Sequence, residues 1–168
     1  MFNASRTPAA RAAWWLAIPI SASLGAGALA QQPSASGSSP QVHQAEVAGA
    51  AGILAQMKAG ESTYQTVCLA CHQADGKGLP GAFPPLAGSD YLLGDKDRAV
   101  GVVVRGLEGE VVVNGVKYNS VMPAMTQLSD QEIADALTFA MNSWGNKGGA
   151  VSVAQVAAVR AKAAAEPK

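Results

Sequence analysis

The chain has 168 residues, 49% of them hydrophobic and 14% charged, with 12 Lys plus Arg balancing 12 Asp plus Glu. That is enough for one domain with appendages. The composition supplies neither the basic patch that nucleic acid would need nor a charge run facing a membrane surface.

Residues 1–30 read as a secretory leader. Arg6 and Arg11 form a positive start, Ala12 to Leu24 an apolar stretch, and Ala28-Leu29-Ala30 an A-x-A-like cleavage site. Pro19, Ser21, Ser23 and Gly25 interrupt the apolar run, leaving it short of the about 20 residues a span requires. Export with cleavage after Ala30, and no membrane span thereafter, is the expectation. Without Arg6 and Arg11, 10 basic residues face 12 acidic ones, a net charge of −2.

Residues 31–59 are expected to form a flexible tether with a possible short helix. Gln31 to Gln44 is low in complexity and rich in Ser, Gln, Pro, Gly and Ala, and nothing there fixes His43. Ala45 to Lys58 is Ala-rich, with Ile53, Leu54 and Met57 assigned to one helical face. The folded domain is expected over 60–146, opening with a helix in which Tyr64, Val67 and Cys68 recur at i, i+3 and i+4.

That helix ends in Cys68-Leu69-Ala70-Cys71-His72, a C-x-x-C-H run that reads as a covalent attachment site for one c-type haem. Thiols three positions apart stand about one helical turn from each other, so each can bond one vinyl group of the same haem, and His72 can ligate the iron. Other readings compete. A redox dithiol should sit between a strand and a helix, and a zinc site needs further ligands. The chain holds no other cysteine, and its only other histidine is His43. A disulfide between Cys68 and Cys71 would close too short a loop to constrain much. An exported chain bearing this motif fits the oxidising side of a bacterial membrane, the periplasm.

Gln73 to Gly88 is dense in Gly and Pro and reads as an irregular loop, the kind that wrapping a flat apolar cofactor could keep ordered. Ser89 to Gly94 reads as a turn or short helix, followed by a helix from Lys96 to Arg105, capped by Asp95 and stopped by Gly106. Two β-prone runs flank Asn114-Gly115, the favoured two-residue hairpin turn. Ser129 and Glu132 make a capping box for a last core helix whose apolar stripe runs Ile133, Ala136, Leu137, Ala140, Met141 and Trp144. Residues 147–168 form a C-terminal extension, with a surface helix expected over Val151 to Ala165.

The iron's sixth position needs a ligand, and a thioether is the natural candidate. Met122 and Met125 lie in a loop that can return over the haem, while Met141 falls on the core stripe and Met57 precedes the haem helix. Pro123 stiffens the chain after Met122, which is favoured over Met125. His/Met ligation closes the iron to substrates and suits electron transfer rather than catalysis.

From about Gly60 to Asn146 the chain resembles a class I c-type cytochrome. The likeness is carried by Gly60-x-x-x-Tyr64-x-x-x-Cys68-x-x-Cys71-His72, Phe83-Pro84-Pro85-Leu86, Tyr118-Asn119-x-x-Met122-Pro123 and Trp144-Gly145. The segments are also similar to cytochrome domains that accompany periplasmic copper nitrite reductases and some dehydrogenases. The resemblance implies an all-α fold packed around one covalently bound haem, with a small hairpin before the methionine loop. It implies a crossing of the first and last helices through Gly60, Tyr64 and Phe139. It also implies a haem surround of Pro84, Pro85, Leu86, Tyr118 and Trp144, with the carbonyl of Pro84 or Pro85 accepting the His72 ring N–H. The function implied is a non-enzymatic electron carrier meeting redox donor and acceptor proteins transiently. The alternatives are a cytochrome subunit held in a nitrite reductase or dehydrogenase, a five-coordinate haem sensor or enzyme, and a copper chaperone using Met122 and Met125.

Overall fold

The computed structural model describes residues 40–166, so the leader and residues 31–39 of the tether lie outside the described residues. The first element, α1 (Pro40–Thr63), runs straight into a π-helical turn (Tyr64–Cys68) and then α2 (Leu69–His72). The helix therefore starts further back than expected, and the boundary placed at Gly60 falls inside it. Its Ala-rich stretch is packed along α5 (Asp130–Asn142). Ile53, Gln56 and Met57 are half-buried, whereas Leu54 is 66% exposed and leaves the face assigned to it.

Gly60 makes this crossing possible. A β-carbon there would collide with the backbone carbonyl of Asp135, so only hydrogen lets the two helices approach this closely. One turn on, Tyr64 is 2% exposed, and its ring meets Phe139 at 5.3 Å and Trp144 at 5.2 Å. Phe139 and Trp144 in turn meet edge to face, so the crossing is closed by three aromatic rings.

The two middle helices, α3 (Asp90–Gly94) and α4 (Lys96–Arg105), are capped by Ser89 and Asp95, whose side chains accept from Leu92 N–H and Arg98 N–H. The hairpin pairs β1 (Val111–Val113) with β2 (Val116–Tyr118), Val111 opposite Tyr118. Both turn residues, Asn114 and Gly115, have positive φ, as a type I′ turn demands. Asp90 and Asn114 exchange backbone-to-side-chain hydrogen bonds of 2.8 and 2.9 Å, fastening the hairpin to α3.

The capping box at α5 is complete, with Ser129 and Glu132 each bonding the other's backbone N–H. The helix stops at Asn142, two residues short of the expected stripe end. Trp144 sits beyond it with a positive φ, so its ring leaves the core stripe and lies over the aromatic crossing. The last helix, α6 (Val153–Ala165), is no mere surface helix. Val151 and Val156 are fully buried in one cluster with Val100, Val104, Ile133 and Leu137 from α4 and α5. The domain is mostly helical, with one two-stranded sheet among the described residues. No described helix is long and apolar enough to cross a membrane.

Candidate haem site

The π-helical turn sits directly ahead of the C-x-x-C-H segment. It takes in one extra residue, with Leu69 N–H bonded back to the Tyr64 carbonyl, and so rotates the following face relative to α1. The helix ends at His72 because Gln73 flips to positive φ. Tyr64 Oη donates to the Gln73 carbonyl at 2.6 Å, pinning the residue that follows His72. Burial pushes the Tyr64 phenol well above its usual range, with negative charge at Cys68 and Asp75 adding to the effect.

Both thiols are unpaired. Cys68 is partly buried and its thiol is pushed up to about 11, mainly by burial and further by neighbouring Cys71. Cys71 is exposed. His72 Nδ1 lies 3.1 Å from the Pro84 carbonyl. A carbonyl only accepts, so the proton belongs on Nδ1, and the Nε2 lone pair is left for a metal. Burial holds the imidazole below its usual range, with the Pro84 bond opposing the shift.

The loop bearing Pro84 is itself held at several points. Gly76 O accepts from Leu86 N–H at 2.7 Å and from Ala87 N–H at 2.9 Å, while Gly78 N–H donates to the His72 carbonyl at 3.0 Å. A β-carbon on Gly76 would press into the Trp144 ring at 2.5 Å. Asn146, the last residue of the expected domain span, carries a role that the sequence did not signal. It is 6% exposed, and its amide donates to Leu86 O at 2.9 Å and Ala140 O at 2.8 Å. Its Oδ1 accepts from Gly88 N–H at 2.8 Å. One buried side chain thus ties the proline loop to the end of α5. No periodic pattern signals such a residue.

Cys68, Cys71, His72, Pro84, Pro85, Leu86, Tyr118, Met122 and Met125 all line one cavity of about 230 Å³ with an almost wholly apolar wall. Trp144 does not line it; its indole Nε1 donates instead to the Ala74 carbonyl at 3.0 Å. Met122 is anchored through both its N–H and its C=O, each bonded to Leu107 at 2.9 Å. Gly106 makes room for that pairing, since a β-carbon there would meet Met122 O at 2.6 Å. Met125 N–H donates to Val103 O, and its sulfur accepts from Gln127 Nε2 at 3.6 Å. Two free thiols, an imidazole with Nε2 unencumbered and neutral thioethers around an apolar cavity form a donor set that fits haem c. Among the described residues no cluster of three or more His, Cys, Asp or Glu side chains could hold a separate metal ion.

Residues 55–139 match the family described as "Cytochrome C oxidase, cbb3-type, subunit III". The chain belongs to the class I c-type cytochromes. A cytochrome c-552 of Thermus thermophilus is 41% identical over 99 residues, 56% of this chain and 67% of that protein. The cytochrome c subunit of the quinone alcohol dehydrogenase from Gluconacetobacter polyoxogenes is 37% identical over 105 residues, 60% of this chain and 22% of that subunit. The cytochrome c subunit of gluconate 2-dehydrogenase from Pantoea cypripedii is 36% identical over 107 residues, 60% of this chain and 24% of that subunit. The chain thus spans about two thirds of the first of these relatives and about a quarter or less of the two dehydrogenase subunits. As a c-type cytochrome domain it is an electron-transfer module whose family implies haem c.

Proposed function

We propose that this domain carries a single haem, bonded through Cys68 and Cys71, with iron held between His72 Nε2 and Met122 Sδ, and that it relays single electrons between redox proteins in the periplasm. The observation that carries this reading is the convergence of both thiols, the tethered imidazole and a backbone-anchored methionine on one apolar cavity. Haem bound there supplies a one-electron ferric/ferrous couple.

The residues of the chain support that use without taking part in bond chemistry. The Pro84 carbonyl fixes the imidazole's orientation and tautomer. Met122 is favoured over Met125 because Met125 sulfur already accepts from Gln127 and packs against the core cluster. Neutral ligands and an apolar wall favour the ferrous state and so raise the potential. The chain is exported by a leader over 1–30, and its cytochrome unit is followed by the extension over 147–168. Donor and acceptor proteins would meet it transiently, through a small interface.

A stable place in a larger oxidoreductase is the second reading, favoured by the dehydrogenase subunits among the relatives. Against it, Val156 on the apolar side of α6 is already buried in the core cluster of this domain, so that side does not offer a docking face. The test is to mature the protein with haem-attachment machinery, denature it and measure mass and redox titration. One haem retained under denaturation and a one-electron Nernst curve support the proposal. Haem lost on denaturation contradicts it.

A further inference from the structure

The loop from Val121 to Leu128, which carries Met122, is anchored by two neighbours. At one end α4 and the residues just after it hold the loop through Val103 O and Leu107. At the other, Leu128 N–H bonds to Met125 O at 3.2 Å, and the loop passes into the start of α5. The C-terminal helix α6 reaches the second of these, the loop's exit into α5. Arg160 Nε donates to Asp130 Oδ1 at 2.7 Å, and Arg160 Nη2 donates to the Leu128 carbonyl at 3.0 Å. Both members of the ion pair are about one-third exposed, so the fork is partly shielded. Gln155 Nε2 also donates to Asp97 Oδ1 in the first turn of α4 at 2.5 Å, which fastens α6 to that helix, and Val156 is fully buried in the same cluster as Leu128.

We propose that α6 braces the methionine loop and that Arg160 is its positioning residue, holding the loop's exit so that Met122 resists displacement from the iron. The planar guanidinium suits the task, because its fork satisfies a carboxylate and a carbonyl at once while the aliphatic stem packs alongside. Losing that fork frees the Leu128 carbonyl and the start of α5 together, and the loop then opens more readily. This inference rests on Met122 being the sixth ligand, as proposed above.

The test uses the full-length ferric holoprotein titrated with imidazole, following loss of the iron–thioether charge-transfer band, with thermal midpoints recorded alongside. Arg160→Met keeps the stem and removes the fork, and is expected to lower the imidazole concentration at half-displacement by roughly threefold or more. Arg160→Lys retains a charge for Asp130 without the fork and is expected to fall between Arg160→Met and wild type. Lys162→Gln, which removes an exposed positive charge from the same helix, is expected to match wild type. An unchanged imidazole midpoint in Arg160→Met with the band intact overturns the brace. An equal shift in Lys162→Gln overturns the specific role of Arg160. A wild type without the band overturns the ligand assignment, and this inference with it.

Discussion

Gly60 lies directly against the backbone carbonyl of Asp135, with no room for a β-carbon between them. The neighbour is backbone rather than a movable side chain, so α1 and α5 must part if anything larger is placed there. Gly60→Ala is expected to destabilise the protein by about 3 kcal/mol despite alanine's better helix propensity. A guanidinium unfolding midpoint measured on the holoprotein checks it, and a neutral or stabilising result would contradict the crossing.

Asn146 satisfies two carbonyls and one N–H from inside the core. Asn146→Ala leaves all three without that partner and opens a small void, which is expected to cost about 2–4 kcal/mol. Because Leu86 and Gly88 adjoin the loop bearing Pro84, the same variant is expected to perturb the His72 ring resonances in the holoprotein NMR spectrum. Unshifted resonances would confine Asn146 to stability alone.

Much of this architecture could be read locally. The capping box at Ser129 and Glu132, the Asn114-Gly115 turn, and the Asp95 and Gly106 stops of α4 are set by neighbours in sequence, and each appears where the local chemistry puts it. What could not be read depends on contacts across the fold. The small residues of α1 carry little amphipathic signal, so its crossing with α5 through Gly60, Tyr64 and Phe139 followed from the family resemblance and not from periodicity, and the contact of Gly60 with the Asp135 carbonyl came only from the fold. The π-helical turn, the departure of Trp144 from the helix stripe, the docking of α6 and the clasp made by Asn146 are likewise settled by distant partners. For the site, the residue types were legible from the C-x-x-C-H spacing. Their convergence on one cavity required the loops to be folded.

The capping box has a pH signature. Bonds from the Ser129 hydroxyl and backbone N–H hold the Glu132 carboxyl below its usual value of 4.5. A folded-state value lowered in this way stabilises the protein above the unfolded-state value, and the contribution is lost as pH falls through the lowered one. Ser129→Ala is expected to cost about 1 kcal/mol at neutral pH. The gap from wild type should narrow in acid below about pH 4. Thermal unfolding at both pH values tests this, and a gap independent of pH would show that the cap does not depend on the carboxylate.

The two thiols should differ before haem is attached. With the Cys68 thiol pushed up to about 11, alkylation of the folded haem-free chain at that position should be slow at neutral pH. It should keep accelerating as pH approaches that value, because the thiolate is the reactive form. Peptide mapping after timed iodoacetamide exposure reads each cysteine separately, and Cys68 reacting at neutral pH as fast as an ordinary exposed thiol would contradict the burial.

Iron held between His72 and Met122 has a direct optical test: visible absorption spectra of the ferric holoprotein, with Met122→Ala and Met125→Ala alongside wild type. A weak iron–thioether charge-transfer band is expected to vanish in Met122→Ala and survive in Met125→Ala. A five-coordinate high-spin wild type, or a band lost only in Met125→Ala, would contradict it.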